Sequence, residues 1–352
     1  MTWLPRRARP TTLVFAIALA LIGCVVPDCG LAAASAASSP FAGTALWVNA
    51  IPALENGQQL LAQAGGSHVR TLYVKAAEGS SVEPQFTPAL LGELHAAGIA
   101  VCAWTFVYGT SPVAEAQAAV DAEEQYDGLY GAAQLFVHTL RSDLGAAFPI
   151  GLAGQAEVSE HPKFPYSVFL GPGAFNVDMP QMYWLELGVS VEAAYRVAIA
   201  QNAIYGRPIA PVGQLYNSPA TAEVTRFRQL AGAYGAPGES FFDLDRALPE
   251  QLASLATPVP RLARRAVLAA TLRPSADGDQ VVWAQELLNA AGARLPVGGY
   301  FGAQTARAVG AFQGKHRLRV SGVIDAATWK ALLRLRARQP SWAGGPPDSA
   351  AA

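Results

Sequence analysis

The sequence predicts an α/β fold, a (β/α)8 barrel of the TIM type, followed by a small all-α domain of three helices. Three observations carry this expectation. Apolar β-type runs alternate with helical stretches across residues 41–256, and near-continuous apolar strands belong to parallel sheets covered on both faces. The count and length of these units suit a barrel, with an open doubly wound sheet as the competitor, and no glycine-rich phosphate loop follows the first run to favour nucleotide binding. Beyond residue 265 the pattern changes to amphipathic helices with an internal repeat.

The strands are expected at "TALWVN" (44–49), "RTLYVK" (70–75), "IAVCAWTFV" (99–107), "PIGLA" (149–153), "MPQMYW" (179–184), "PIAPVGQ" (208–214) and "SFFDL" (240–244). Helices fill the gaps at "NGQQLLAQAG", "TPALLGELHAAG", "YDGLYGAAQLFVHTLRSDLG", "SVEAAYRVAIAQNAIYG" and "AEVTRFRQLAGAYG", several of them ending in glycine, as helix C-termini tend to. The fourth strand is the weak place. Between "TFVYG" and the helix from Tyr126 only "TSPVAEAQAAVDAEEQ" remains to hold a helix and a strand, and its alanines are poor strand material. The barrel is expected to be irregular there, or to lack a strand.

"TPVPRLARR" (257–265) reads as a linker, so a tail domain of residues 266–338 is expected to bind its ligand without the barrel. Within it, "GDQVVWAQELLNAAG" forms an amphipathic helix with Val281, Val282, Gln285 and Leu288 on recurring turns. "GYFGAQTARAVGAF" from Gly299 and "GVIDAATWKALL" from Gly322 then align as a repeat, with Gly302 and Asp325 at the helix starts. Residues 339–352 are expected to be disordered.

The chain has 352 residues, 51% hydrophobic and 14% charged, with a net charge of -1. That composition excludes general disorder and argues against a general nucleic-acid binder. The balance hides an asymmetry: residues 41–259 hold 9 Lys and Arg against 20 Asp and Glu, whereas 260–339 hold 13 against 4. A basic module on an acidic body suits a polyanionic matrix such as a bacterial wall. Residues 1–36 read as an export signal, with Arg6, Arg7 and Arg9 before an apolar run too short to span a membrane comfortably. Two cleavage readings stay open, a lipobox at "LIGC" that would lipidate Cys24 and tether the protein to a membrane, and an ordinary site at Ala34-Ser35-Ala36.

Cys24, Cys29 and Cys102 build no disulfide framework, and the five histidines keep no metal-ligand spacing. No Gly-x-Ser-x-Gly motif occurs. The expectation is therefore a monomer without metal or cofactor.

The tail resembles the three-helix peptidoglycan-binding module of secreted bacterial wall enzymes, through Gly278, Val281, Gln285, Leu288, Gly299, Phe301, Gly302, Thr305, Ala308, Val309, Phe312, Gln313, Gly322, Ile324, Asp325, Thr328, Trp329 and Leu332. The resemblance implies a shallow groove for glycan or stem peptide, with Tyr300, Gln304, Thr305 and Arg307 as the contacts beside the turns. The barrel is similar, over most of 41–250, to the family 25 glycoside hydrolases, which are wall muramidases, and to uncharacterised relatives. "YVKAAEG" (73–79), "VDAEEQYDG" (120–128), "PQMYW" and "PVGQLY" carry that likeness.

The resemblance implies glycan cleavage by acid/base chemistry. On a strand, Asp121 and Glu123 would share one face about 7 Å apart, at the end of the barrel where active sites lie. Glu123 would protonate the leaving oxygen, with Asp121 raising its pKa and orienting water or the substrate's acetamide. Asn49, Lys75, Glu78, Gln181, Tyr183, Gln214 and Asp243 fall near strand ends as substrate contacts, and Trp104 and Trp184 would offer flat faces to a sugar. The same acidic run equally suits a helix N-terminus, and Asn49 stands where the muramidase family carries an Asp. A glycan-binding protein with a degenerate barrel is the alternative.

Overall fold

A computed structural model describes residues 39–51, 57–116 and 124–342. Seven parallel strands, β1 (Gly43–Val48), β2 (Thr71–Glu78), β4 (Ala100–Phe106), β5 (Gly151–Gln155), β6 (Val177–Gln181), β7 (Val212–Gln214) and β8 (Gly238–Phe242), pair in the order β4-β2-β1-β8-β7-β6-β5. A two-residue strand, β3 (Ser81–Val82), turns back antiparallel on β2. Helices α1 (Gly57–Gly65), α2 (Pro88–Ala96), α3 (Pro112–Ala116), α4 (Tyr130–Leu144), α5 (Tyr166–Phe169), α6 (Val191–Asn202), α7 (Thr221–Tyr234) and α8 (Pro249–Ala256) fill the connections. Their ends follow local chemistry. Thr87 caps α2 through a 3.2 Å bond from the Leu90 N–H, with Pro88 in the first turn, and Ser190 caps α6 in the same way. Gly235 ends α7 with a φ of 82°, a left-handed position that glycine adopts without strain.

The period of two sorts the strands into an inner and an outer face. Outward, Leu46, Val48, Leu72, Val74 and Val101 pack under Leu60, Leu94, Ala198 and Phe227 of the helices. Inward, Trp47, Tyr73, Trp104, Ala153, Met179 and Val212 form one buried cluster. Strands from both ends of the pairing order contribute to it, so the sheet curls around a common interior. Among the described residues, however, no strand bridges β4 and β5. Among the described residues the sheet is a mixed, barrel-like one. Residues 117–123, which carry Asp121 and Glu123, lie outside the described residues, as do Cys24 and the leader.

Beside β5 the fold is aromatic. Tyr126, Phe136, Phe164 and Phe169 pack with ring centroids 5.3 to 6.1 Å apart. That cluster is continuous with the core of the tail domain, whose helices are α9 (Asp279–Ala290), α10 (Ala303–Lys315) and α11 (Ala326–Leu332). The Trp283 indole donates to the Ile204 carbonyl at 2.6 Å, and the Asp279 carboxylate accepts from Ser167 N–H, Ser167 Oγ and Tyr205 OH at 2.6 to 2.8 Å. Gly278 brings the start of α9 so close to the barrel that the Asp279 N–H reaches the Pro162 carbonyl at 2.5 Å.

The linker expected at 257–265 packs on the barrel, and residues 339–342 differ from the expectation of disorder. The 257–265 stretch is not a free tether: Arg265 N–H and the Arg264 guanidinium donate to carbonyls of α7 at 2.9 and 3.3 Å. Residues 339–342 are not disordered, because Gln339 donates to the Ser167 carbonyl at 2.6 Å and Trp342, 3% exposed, lies 4.5 Å from the Tyr130 ring. Their composition reads as disordered, but one tryptophan with an apolar seat anchors them. Residues 343–352 lie outside the described residues.

Inside the tail the internal repeat becomes two copies of one hydrogen-bonded staple. Gln285 Oε1 accepts the N–H groups of Gly298 and Gly299, both at 3.1 Å, while its Nε2 donates to the Tyr300 carbonyl and Thr305 Oγ1. Gln313 repeats this with Ser321 and Gly322 as donors and the Val323 carbonyl and Thr328 Oγ1 as acceptors. Gly299 and Gly322 hold φ of 75° and 68°, the left-handed turn that each staple requires.

Candidate functional site

A cavity of about 460 Å³ opens at the C-terminal ends of the strands. Its floor is aromatic. Trp47 and Trp104 meet edge to face at 5.5 Å, Phe242 lies 6.0 Å from Trp104, and the two indoles are locked by bonds to Ser240 Oγ and the Val48 carbonyl, both 2.9 Å. Phe106 and Tyr108, 5.1 Å apart, form the rim.

The polar part of the cavity is built on an irregularity in β2. Residues i and i+3 of a regular strand face opposite ways, yet Lys75 and Glu78 both line the cavity. The register against β4 slips between Lys75 and Ala77, so that Lys75 lies opposite Trp104 and Ala77 opposite Thr105. This bulge, with Ala76 as the extra residue, turns Glu78 back toward Lys75. The Lys75 ammonium then sits 2.6 Å from Glu78 Oε2, 3.8 Å from Glu83 and 5.4 Å from the centre of the Trp104 ring. Tyr108 OH donates to Glu78 Oε1 at 2.6 Å. The Lys75 bond, with help from Tyr108, holds the Glu78 carboxyl below the usual glutamate range, while Glu78 pushes the Tyr108 phenol up.

Gln85, which follows β3, ties the strand ends together. Its Nε2 donates to the carbonyls of Asn49 and Lys75 at 3.0 and 3.1 Å, and its Oε1 accepts the Ile51 N–H at 2.6 Å. Asn49, Gln181, Tyr183 and Gln125 complete the polar lining. Gln125 lies only two residues beyond Glu123.

Of the expected contacts, Asn49, Lys75, Glu78, Trp104, Gln181 and Tyr183 therefore converge on one cavity. Trp184, Gln214 and Asp243 do not. Trp184 is fully buried on the outer side of the sheet, 5.5 Å from Phe227, and has no face to offer a sugar. Gln214 is equally buried, accepting the Leu185 N–H and donating to the Tyr216 carbonyl. Asp243 is buried under Arg246, which binds it at 2.6 Å. Each sits near a strand end, but strand-end position does not fix which face a side chain takes where the strand stops. Sequence reasoning missed Trp47, Gln85, Phe106, Tyr108, Gln125 and Phe242. The first and last were legible as inward residues of strands, whereas Gln85 and Tyr108 reach the site from loops.

In the tail, Tyr300, Gln304 and Arg307 are exposed beside the first turn. Thr305 is not: it is 3% exposed and its hydroxyl serves the Gln285 staple, so its place in the motif is structural. Among the described residues no cluster of His, Cys, Asp or Glu is arranged to hold a metal ion, and no helix is long and apolar enough to cross a membrane.

Residues 277–332 match the family model described as "Putative peptidoglycan binding domain". Among solved structures, a peptidoglycan-binding protein from Clostridioides difficile, in complex with glutamine hydroxamate, is 35% identical over 18% of this chain and 41% of its own, with a TM-score of 0.18. A Burkholderia AP3 phage endolysin is 41% identical over 18% of this chain and 24% of its own, again with a TM-score of 0.18. The chain thus spans less than half the length of either. No curated protein matches the sequence. The likeness of residues 277–332 supports peptidoglycan binding by the tail and association with the cell wall.

Proposed function

We propose that the protein is exported, is held on peptidoglycan by its tail domain, and hydrolyses a wall glycan in the cavity of its barrel. What carries the catalytic half is the cavity itself: an aromatic-floored cleft at the strand ends, with Glu78 on one side and Gln125, next neighbour but one to Glu123, on another. Glu78 is held ionised by Lys75 and Tyr108 and is therefore no proton donor at neutral pH. Its part is to hold sugar hydroxyls or to face positive charge that develops at the anomeric carbon. The acid is Glu123, with Asp121 to raise its pKa and orient water or an acetamide. Phe106, Tyr108 and Tyr183 supply apolar surface for sugar rings.

A second reading, a glycan-binding protein without catalysis, draws on a specific observation. Among the described residues Glu78 is the sole carboxylate lining the cavity, and Asn49 cannot titrate. Turbidity clearing of purified peptidoglycan by residues 40–352 decides between them. Hydrolysis predicts clearing that falls about a hundredfold or more in Glu123→Gln. A parent protein that pellets with sacculi yet clears none of them establishes the binding protein instead.

A further inference from the structure

The surface charge of the tail is unbalanced. Between residues 266 and 339 there are ten Lys and Arg side chains, every one exposed. Among the described residues none of them forms an ion pair or a side-chain hydrogen bond. The module's acids are withdrawn. Asp279 and Glu286 are 0% exposed, Asp325 is occupied by the N–H and hydroxyl of Thr328, and Asp277 alone is exposed. Unpaired cations at this density project a positive field that attracts polyanions.

Four of the ten lie on one continuous strip. Gln304, Arg307, Ala311, Gly314 and Lys315 are the exposed face of α10, and the loop that follows carries His316, Arg317 and Arg319, all exposed. Val320 folds back beside Gly310 and Gly314, so loop and helix share a side. Eight of the ten cations are arginine, whose planar fork fits phosphate oxygens in pairs, where lysine offers a point charge.

We infer that this strip binds a phosphodiester polymer of the cell wall, alongside the peptidoglycan to which such a polymer is attached. The inference rests on the wall reading of the tail. Stem-peptide carboxylates are the other anion within reach, and stripping the wall of its phosphodiesters separates the two sources.

The test uses the full mature chain and its quadruple variant Arg307→Gln, Lys315→Gln, Arg317→Gln, Arg319→Gln, with melting temperature as the folding control. Binding is measured to intact Gram-positive walls and to the same walls after hydrofluoric acid, across a salt series. The expected result is at least tenfold tighter binding of the parent to intact walls near 50 mM salt. The quadruple variant loses that advantage, and its log-affinity against log-salt slope is flatter by about 3, since each of the four phosphate-neutralising charges contributes roughly 0.7 to 0.9 to that slope. Equal binding to intact and stripped walls, by parent and variant alike, overturns the inference and leaves peptidoglycan binding standing. A parent that pellets with neither wall overturns both. Tighter binding to a DNA duplex than to the isolated wall polymer assigns the strip to nucleic acid instead.

Discussion

At the scale of single residues, the strongest determinants are polar side chains whose every bond is used. Gln313 is 0% exposed and satisfies two backbone N–H groups, a carbonyl and the Thr328 hydroxyl. Gln313→Ala orphans those four groups together, and at about 1 kcal/mol each the loss is about 4 kcal/mol, whereas Thr328→Ala removes two bonds, one from Gln313 Nε2 and one to Asp325 Oδ1, and costs about 2 kcal/mol. Thermal melts by circular dichroism separate the two, and equal melting temperatures would show that the staple carries no stability. In the cavity, both Glu78 oxygens are engaged, so under the proposed function Glu78→Gln is expected to release Lys75 and weaken glycan binding about tenfold or more, and Tyr108→Phe to cost about two- to threefold. Calorimetric titration with a soluble wall oligosaccharide reads both. Unchanged affinity in Glu78→Gln removes the residue from the site. The threonines were visible in the sequence as part of a repeat and the glutamines as part of the motif that the tail resembles, but their role was not: a residue that recurs because it ties down a turn has the same sequence signature as one that recurs because it touches ligand.

At the scale of elements, each parallel strand overlaps an apolar run, because burial on both faces leaves a composition no other segment shares. The bulge in β2 was beyond reach, since it exists only in the register between β2 and β4 and no residue type announces it. Strand β6 hides a different feature. Val177 and Met179 face the interior and Gln181 the cavity, which places Asp178 on the outer face, fully buried, with neither oxygen meeting a side-chain donor. Burial pushes its carboxyl up to about 8. A raised carboxyl is neutral in the fold at low pH. Its contribution is therefore complete below the ordinary aspartate pKa near 4 and lost as pH rises through about 8. Asp178→Asn, which stays neutral, is expected to melt several degrees above the parent at pH 8 and within a degree or two of it at pH 5. A substitution that lowers the melting temperature equally at both values would mean that the carboxyl is paired and not stranded.

At the scale of the whole molecule, the sequence reads as two domains on a linker, and the structure joins them. The reason lies in α9. Its inward positions Val281, Val282, Gln285 and Leu288 are those of any amphipathic helix, but Asp279, Trp283 and Glu286, on what reads as the outer face, are also buried. Trp283 and Asp279 bind the barrel directly, and an aromatic cluster of the barrel runs on into the tail core. The two parts share one continuous core, so barrel and tail are expected to unfold in one transition. Residues 266–338 alone would bare Trp283 and strand two carboxylates, and they are expected to be far less stable than the same residues in the full chain. Trp283→Ala is expected to cost about 3 to 5 kcal/mol, the range for a buried large aromatic, and to lower the melting of barrel and tail together.

The interface should also respond to pH. Burial pushes the Asp279 carboxyl up to about 6 and that of Glu286 well above its ordinary value, with Asp279 adding to the latter. Tyr130 and Tyr205 face them from the barrel and bring no positive charge. For Asp279 the stabilisation of the neutral form is complete below about 4 and gone once pH has risen through about 6. The carboxyls of Glu78, Glu192 and Asp325 are lowered instead and lose their contribution only on acidification. Docking is thus expected to be firmer at pH 5 than at pH 8. Limited proteolysis across 257–265 measures it: cleavage should be several-fold faster at pH 8 than at pH 5, beyond the protease's own pH dependence on an unfolded substrate, and Glu286→Gln should narrow the gap. Cleavage at one corrected rate throughout, or two separate melting transitions at pH 5, would show a tail that hangs on a tether, and the fixed geometry between cavity and wall-binding surface would be lost with it.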